Sequence, residues 1–390
     1  MVKAIDLIKE HERYRRKTLN LIPSENILSP LALKVLSTDL AGRYSHRPEY
    51  YGGTRFIQEL WNYAEELTRK LFKAEYVLLE PIAGHIAAIL TAYTFATGGK
   101  LAALPAEQGG YPGYEPTKIP DLLKIDLVRL PGTSEYLLPL VEESLEVIRR
   151  EKPELLVLGG SMILFPHPVR ELSEAVHEYG GVVAYDASHV LGLIAGGQFQ
   201  DPLREGADIL YASTHKTFPG PQGALILTND EKLYERLREN IYHKIVDNIH
   251  LNRLAAFAIT LEEMRRFGKA YAKRIVENSY ELASALDSMG VSVKAKDKGY
   301  TKSHQVVLNI PESEARIGLR NRLEECGIIT DGDLRLGTGE ISRRGMGKRE
   351  MRRIARLIYD AMEGVDPKIV RRRVAELMRR FSKPKFCYLP

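Results

Sequence analysis

The sequence predicts an α/β protein with a mainly parallel central sheet, helices on both of its faces, and a smaller C-terminal α+β unit. Between residues 76 and 227, short apolar runs typical of buried strands alternate with segments of helical periodicity. After Asn229 the pattern changes: a long helical run over residues 250–289 leads to a unit of short strands and helices. A chain of 390 residues provides enough apolar surface for two cores.

The elements follow in order along the chain. The N-terminal segment predicts a short amphipathic helix, an irregular stretch over residues 20–26 and helical pattern over residues 32–40. A loop rich in Gly and Tyr over residues 42–53 precedes a long helix that ends near Phe72. Six strands are then predicted, at residues 76–79, 100–104, 155–158, 182–185, 209–212 and 224–227. Helices expected over residues 142–150 and 169–179 provide crossovers between parallel strands.

This pattern predicts three parts of the chain. We expect an N-terminal arm over residues 1–30, a large domain over residues 31–248, and a linker helix with a small domain over residues 249–390. Because ligands of such sheets bind outside the carboxyl ends of the strands, the functional side chains should follow the predicted strands.

Composition narrows the class of protein. With 44% hydrophobic and 27% charged residues, the chain is unlike collagen-like, mucin-like or disordered proteins. No apolar run approaches the roughly 18 to 20 residues that cross a bilayer, and the first residues do not resemble a secretory signal. Two cysteines, Cys326 and Cys387, make neither a disulfide framework nor a multi-cysteine zinc site. We expect a cytoplasmic protein with no membrane partner and no metal ligands.

The net charge of +5 is concentrated at the C-terminal end. Residues 343–385 contain fifteen Lys and Arg against five Asp and Glu. One interpretation is an acidic partner such as RNA. The favoured interpretation is two amphipathic helices with solvated basic faces, because apolar residues recur there at helical period.

The strongest chemical signal is a lysine that follows the predicted strand 209–212. Lys216 lies in a polar cluster, before a Gly/Pro turn at residues 219–223. Lysine is rarely buried at the mouth of a sheet unless it is paired or reactive. A desolvated lysine has a lowered pKa and can form a Schiff base with a carbonyl cofactor.

Thirty residues before Lys216, Asp186 ends the apolar strand 182–185. A carboxylate at this place can keep a pyridinium nitrogen protonated, so that the ring accepts electrons from a carbanion. His189 follows and could cover such a ring or orient its phenolic oxygen. Taken singly, Asp186 could be a helix cap and His189 a core histidine; taken together, they favour a cofactor site.

Two weaker signals fit the same cofactor. Gly84 stands at a strand-to-helix turn, where the N–H groups and dipole of the following helix could hold a phosphate. Tyr111 follows a tight turn and could stack on a planar ring. The alternative for Tyr111 is an exposed loop tyrosine, one of 20 in the chain.

With these residues in view, the chain resembles serine hydroxymethyltransferase and, more broadly, the fold-type I pyridoxal phosphate enzymes. Five segments in the family's order carry the resemblance, which extends from about Leu21 to Gly345. They are residues 21–26 (LIPSEN), 50–53 (YYGG), 186–195 (DASHVLGLIA), 214–223 (THKT, then GPQG) and 335–345 (RLGT, then SRRG).

The resemblance implies pyridoxal 5'-phosphate as cofactor, an amino acid as substrate and a homodimer with shared active sites. Lys216 would form the internal aldimine. The implied cofactor-binding residues are Lys216, Asp186, His189, Tyr111, Gly84, His85, Ser161, Ser213 and His215. The implied substrate-binding residues are Ser24, Tyr44, Tyr51 and Arg335, with Tyr44 and Tyr51 coming from the neighbouring subunit. Catalytic roles fall to Lys216, His189, His46 and Tyr51.

The sequence also departs from the family's pattern. The family has a glutamate, essential for one-carbon transfer, in the loop before YYGG; here that loop is shorter and His46 takes its place, with Glu49 as a possible substitute. Residues 83–85 (AGH) replace a serine-glycine-serine phosphate cradle. The Gly-rich segment that reaches a neighbour's phosphate is absent from residues 242–247, and the loop before Arg335 is shortened to residues 328–334. We therefore expect tetrahydrofolate to bind poorly.

Three hypotheses about function follow. The first is reversible Cα–Cβ aldol cleavage of serine or another β-hydroxy amino acid to give glycine, with a pterin acceptor as a hydroxymethyltransferase or without one as an aldolase. The second keeps the cofactor but changes the reaction to transamination, racemisation or β-replacement, with aminoacyl-tRNA as one substrate class. The third, a non-catalytic binding protein, is the weakest, because Lys216, Asp186, His189 and Arg335 are all present.

Overall fold

The computed structural model describes residues 2–389, which form two compact units. The larger unit contains residues 28–272 and the residues from 387 onward, and the smaller unit contains the residues up to 27 together with 273–386. This division differs from the predicted one at both ends. Residues 19–21 hydrogen-bond to the small unit's strand Ile328–Ile329, so the N-terminal segment joins that unit instead of forming a separate arm.

A seven-stranded sheet organises the larger unit. Its strands are β1 (Tyr76–Leu78), β2 (Lys100–Ala103), β3 (Asp126–Arg129), β4 (Leu155–Gly159), β5 (Val182–Asp186), β6 (Ile209–Ser213) and β7 (Ala224–Thr228). They lie in the order β1-β7-β6-β5-β4-β2-β3, and only β7 runs against its neighbours. The sheet is therefore mainly parallel, and all six predicted strands belong to it.

The predicted strands are the buried ones. Every residue of β4, β6 and β7 is buried, as expected for apolar strands covered on both faces. The strand that the sequence did not predict, β3, lies at the edge of the sheet and has exposed residues at both ends.

Helices and short strands complete the larger unit. Its α-helices are Pro30–Val35, Arg55–Phe72, Gly84–Ala96, Ile119–Leu123, Val141–Glu151, Val169–His177, Leu191–Ala195, Pro202–Glu205 and Glu231–Ile241. Short 3-10 helices cover Asp39–Gly42, Ala106–Gln108 and Pro112–Tyr114, and Gly132–Thr133 pairs with Leu138–Pro139. The boundary between the two units falls inside the helix Leu251–Ser288. Within residues 2–389, no helix is both long enough and apolar enough to span a bilayer.

The smaller unit has its own apolar core. Leu19–Asn20 pairs in parallel with Ile328–Ile329, and Gln305–Val307 pairs antiparallel with Arg335–Gly337. The remaining elements are the α-helices Lys3–Arg15, Ser313–Glu325, Gly339–Arg343, Lys348–Met362 and Pro367–Arg380 and the 3-10 helix Lys296–Lys298.

The two basic C-terminal helices are amphipathic, as predicted. The buried faces of Lys348–Met362 and Pro367–Arg380 include Ile354, Ile358 and Val374. Asp360, which is buried, accepts from Arg356 Nε at 2.7 Å and from Arg373 Nη1 at 2.9 Å. The apolar periodicity of this segment is thus explained by core packing.

Candidate active site

Loops at the carboxyl ends of five strands of the large unit meet around one cavity. Asp186 and Ser213 are the last residues of β5 and β6, and Gly160 directly follows β4. All nine predicted cofactor-binding residues line the cavity: Gly84, His85, Tyr111, Ser161, Asp186, His189, Ser213, His215 and Lys216. Three residues to which the sequence analysis gave no cofactor-binding role, Ala83, Gly160 and Ser188, complete its wall.

Asp186 is an ionisable group held in a buried position. Burial, the largest cause, raises the pKa of its carboxyl above the usual value, and the positive charge of Lys216 and the hydrogen bonds with Ser188 offset only part of that rise. The Ser188 N–H donates to Asp186 Oδ1 at 2.9 Å. The Ser188 N–H and the charge of Lys216 both stabilise the carboxylate form. The carboxylate can therefore accept a further hydrogen bond from a cationic group of a ligand.

A small-residue corner lies where the helix Gly84–Ala96 begins. A Cβ at Gly84 would lie 2.7 Å from Ser213 Oγ and 3.2 Å from Ser213 Cβ, so only glycine leaves this corner open. The N-cap residue, Ala83, has no side-chain acceptor for the first N–H groups of the helix. Opening N–H groups, a hydroxyl and the positive end of a helix dipole together suit an anion such as phosphate.

Ser188 connects this corner to Asp186. Its Oγ accepts from the Ser213 N–H at 3.0 Å, and its own N–H binds Asp186. The sequence contained a signal for it, because Ser188 stands inside the segment DASH that carries the family resemblance.

Tyr111 and His85 form one side of the cavity. The Tyr111 hydroxyl lies 2.8 Å from His85 Nδ1. Burial, with the charge of Asp186 as a second cause, raises the pKa of Tyr111 to about 12, so the phenol stays protonated at neutral pH. A Cβ at Gly113 would lie 2.3 Å from the Tyr111 ring, which explains a glycine in that turn.

His189 approaches the cavity from the loop after β5, and His215 from the loop after β6, which also carries Lys216. Thr217 Oγ1 donates to the His189 carbonyl at 2.8 Å and accepts from the Gly192 N–H at 3.1 Å, so it holds these loops together. Burial, followed by the charge of Lys216, lowers the pKa of His215 to about 4, so its imidazole is neutral. His215 Nδ1 is buried without a hydrogen-bond partner among the described residues.

His46, Tyr44 and Tyr51 lie elsewhere in the large unit. Tyr44 and Tyr51 line a separate cavity of the described chain and are 46% and 39% exposed. The side chain of His46 is 14% exposed, and its ring centroid lies 4.8 Å from that of Tyr242 and 6.2 Å from that of Tyr51.

Ser24 and Arg335 belong to the small unit. Arg335 begins the strand Arg335–Gly337, and its Nε donates to Asp331 Oδ2 at 2.7 Å in a mostly buried ion pair. Gly337, in the same strand, donates its N–H to the Leu21 carbonyl. A Cβ at Gly337 would lie 2.4 Å from Pro23 Cα. The segment that carries Ser24 therefore packs against the strand that carries Arg335.

Comparison with known proteins identifies the family. The family model of serine hydroxymethyltransferase matches residues 2–358. This chain belongs to the serine hydroxymethyltransferase family. The serine hydroxymethyltransferase of Pyrobaculum arsenaticum is 39% identical over 400 residues, which cover 98% of this chain and 93% of that protein. That of Sulfolobus acidocaldarius is 38% identical over 407 residues, covering 99% and 94%.

A solved structure shares the fold. The crystal structure of L-threonine transaldolase from Pseudomonas fluorescens in its internal aldimine state has a TM-score of 0.92 to this chain. The two are 24% identical, and the match covers 98% of this chain and 92% of that one. The predicted fold class is confirmed by this likeness and by membership of the serine hydroxymethyltransferase family.

The sequence analysis did not predict two groups of side-chain contacts in this member of the serine hydroxymethyltransferase family. Asp331 stands in the shortened loop before Arg335, and nothing in the spacing indicated that it would pair with that arginine. His243 and Asp247, which lie beside His46, occupy the segment whose glycines are absent. Both groups lie where the sequence departs from the family.

Proposed function

We propose that this chain is a pyridoxal phosphate-dependent enzyme that reversibly breaks the Cα–Cβ bond of serine or another β-hydroxy amino acid, with glycine as a product. Membership of the serine hydroxymethyltransferase family supports the reaction class. The observation that carries the proposal is that Lys216 and the buried Asp186 line one cavity at the carboxyl ends of the parallel strands.

The residues of the cavity fit the cofactor. Asp186 suits the pyridine nitrogen, because the carboxylate is buried and held by one N–H donor. The glycine-only corner at Gly84, beside Ser213 and the helix N-terminus, suits the phosphate. The orphaned His215 Nδ1 provides a further polar atom for a bound group. Tyr111 presents an aromatic ring for stacking.

When bound, pyridoxal phosphate supplies a carbonyl carbon for the substrate's amino group and an electron-accepting ring for the carbanion left by Cα–Cβ cleavage. Lys216 would provide the amine that holds the cofactor. The ionised form of Asp186 would keep a proton on the pyridine nitrogen. His189 would bear on the phenolic side of the ring, and Thr217 fixes the loop that carries His189.

Arg335 is proposed to bind the substrate carboxylate. A guanidinium can offer two parallel N–H donors to a carboxylate, and the contact with Asp331 holds the arginine through its Nε. Ser24 is proposed to bind beside it, which its position on the segment packed against the Arg335 strand supports.

We also propose a homodimer in which Tyr44, Tyr51 and His46 serve the neighbouring subunit's site. Two observations support this arrangement. Tyr44 and Tyr51 are exposed, and they line a cavity other than the cofactor cavity of their own chain. The cytoplasmic location stays a prediction from the sequence.

Tetrahydrofolate is proposed to be a poor acceptor. A pterin site needs a concave wall with a few placed polar groups, and the two loops that supply this wall in the family are shortened here. In the loop before Arg335, Asp331 is already committed to the arginine. Folate-independent cleavage of a β-hydroxy amino acid is therefore the expected activity.

One experiment tests the proposal. The purified protein is loaded with pyridoxal phosphate, incubated with a panel of amino acids with and without tetrahydrofolate, and the products are identified by mass. Glycine formed from serine or threonine, with little stimulation by tetrahydrofolate, supports the proposal. A large saturable stimulation restores the folate-dependent transferase, whereas keto acids or racemised amino acids indicate a different reaction. Borohydride reduction followed by peptide mapping should place the pyridoxyl group on Lys216.

A further inference from the structure

Two loops of the large unit meet at a cluster of three side chains that can bind a metal ion. His46 comes from the loop 42–53, and His243 and Asp247 come from the loop that follows the helix Glu231–Ile241. One candidate ligand atom from each of the three residues lies within 4.8 Å of the other two. We propose that His46, His243 and Asp247 bind a divalent transition-metal ion, with Zn²⁺ as the best fit.

The distances suit such an ion. Asp247 Oδ1 lies 3.1 Å from His243 Nδ1 and 3.7 Å from His46 Nε2. Bonds of about 2.0–2.1 Å in a tetrahedral zinc site separate neighbouring ligand atoms by roughly 3.4 Å, between these two values. The two imidazole nitrogens lie within 4.8 Å of each other, so enclosing an ion requires His46 and His243 to approach until this distance also nears roughly 3.4 Å.

The ring geometry points the same way. The ring centroids of His46 and His243 lie 5.4 Å apart. Two imidazoles bound to one zinc ion at a tetrahedral angle place their centroids about 5 Å apart. The His46 ring lies between those of Tyr242 and Tyr51, and in the single chain the side chains of His243 and Asp247 are 73% and 59% exposed, so packing within the chain does not hold them apart.

The backbone presents His243 and Asp247 on the same side of their loop. The His243 N–H donates to the Val246 carbonyl at 3.0 Å, and the Val246 N–H donates to the Ile241 carbonyl at 2.9 Å. His243 adopts a φ of 61°, a left-handed conformation that a non-glycine residue rarely adopts. These two hydrogen bonds close a tight turn between His243 and Asp247, which brings the two candidate ligands close together.

The donor set selects the class of metal. Two imidazole nitrogens and one carboxylate oxygen suit zinc and related transition ions, while Mg²⁺ and Ca²⁺ prefer oxygen ligands alone. Three protein ligands leave at least one position for water or another group. Because His46 contacts Tyr51, a bound ion would tie the loop of Tyr51 to residues 242–247.

The test measures metal binding, not activity. Tag-free protein is saturated with pyridoxal phosphate, freed of unbound cofactor and chelator-treated, and then titrated with ZnCl₂ by calorimetry. Cobalt(II) serves as a spectroscopic probe, because its visible absorption reports tetrahedral coordination. We expect one site per chain in the wild type and at least about a hundredfold weaker binding in His243→Ala and Asp247→Asn, since even outer-shell changes cost 10–100-fold.

A matched control comes from another histidine–carboxylate pair. His177 Nε2 lies 2.9 Å from Asp208 Oδ2, and among residues 2–389 no third metal-binding side chain joins this pair, so His177→Ala should leave zinc binding unchanged. Borohydride labelling of Lys216 in each variant verifies an intact cofactor site. Equal zinc binding in the wild type and in the His243→Ala/Asp247→Asn double variant would overturn the proposal, as would loss of binding in His177→Ala alone.

Discussion

Replacing Gly84 by alanine tests the corner that we assign to the cofactor phosphate. The added Cβ would lie 2.7 Å from Ser213 Oγ, closer than non-bonded atoms approach in folded proteins. The Ser213 hydroxyl can rotate, but Ser213 Cβ at 3.2 Å and its backbone nitrogen at 3.4 Å belong to the end of β6 and cannot move freely. The methyl group therefore takes space at the corner and displaces a proposed phosphate donor.

The magnitude follows from the overlap. Overpacking by one methyl group typically costs about 1–3 kcal/mol, and each 1.4 kcal/mol is about tenfold in a dissociation constant. In the apoprotein the Ser213 hydroxyl can turn away from the new methyl group, and its return to a bound phosphate restores the overlap, so we expect Gly84→Ala to bind pyridoxal phosphate roughly 5- to 150-fold more weakly than the wild type. Alanine in a helix is favoured over glycine by up to about 1 kcal/mol, so the folded apoprotein itself should not be lost.

The assay is a titration of apoprotein with pyridoxal phosphate, followed by visible absorbance, with thermal unfolding of the apoprotein measured alongside. Gly318→Ala is the matched control, because Gly318 also lies in a helix and a Cβ there would meet nothing within 4 Å. A dissociation constant for Gly84→Ala within twofold of the wild-type value, with Lys216 still labelled on reduction, would refute the phosphate assignment.

Three further predictions concern single side chains. Asp186→Asn should keep the cofactor but lose at least about a hundredfold in kcat, which corresponds to roughly 2.7 kcal/mol of activation free energy. The reason is that an amide does not hold the pyridine nitrogen protonated. Near-normal turnover would show that Asp186 serves only as a helix cap. Arg335→Lys should raise the KM for the amino acid about tenfold or more, and Asp331→Asn by less, since a lysine lacks the planar two-pronged geometry; an unchanged KM in both would exclude the role. Burial, with the charge of Glu65 as a second cause, raises the pKa of Glu80 from 4.5 to about 7. Ionising Glu80 is therefore unfavourable in the folded state, and the free energy of unfolding of the wild type decreases as pH rises from about 4.5 to 7. A glutamine does not ionise, so Glu80→Gln should be more stable than the wild type above pH 7, by up to roughly 3 kcal/mol, and equally stable below pH 4.5. Urea unfolding across this pH range measures the difference, and a gain that does not vary with pH would contradict the assignment.

The sequence predicts the central sheet because burial on both faces leaves a strong pattern. Strands β4 and β6 read as continuous apolar runs and are fully buried. The edge strand β3 has the sequence DLVR, whose ends are exposed, so no such run marks it. The N-terminal pairing of Leu19–Asn20 with Ile328–Ile329 joins segments far apart in sequence, and local periodicity contains no information about it.

Some residues of the candidate site could be predicted from the sequence and others could not, for a similar reason. Asp186 and Lys216 could be predicted because a polar group at the end of an apolar strand is conspicuous, and parallel strands place their ends on one edge of the sheet. Ser188 and Thr217 act through hydrogen bonds to backbone atoms of neighbouring loops, which the spacing of residues does not specify.

The positions where the chain departs from its family have partners of their own. In the shortened loop before Arg335, Asp331 accepts a hydrogen bond from that arginine. Where the family has a glutamate, His46 faces Asp247, a residue of the segment whose glycines are missing. A loop that had merely lost function would not be expected to acquire such pairs at two sites, since isolated charged contacts add little stability. We infer that these substitutions reshape how the protein handles the substrate's carboxylate and leaving group, while Lys216, Asp186 and His189 remain as the family has them.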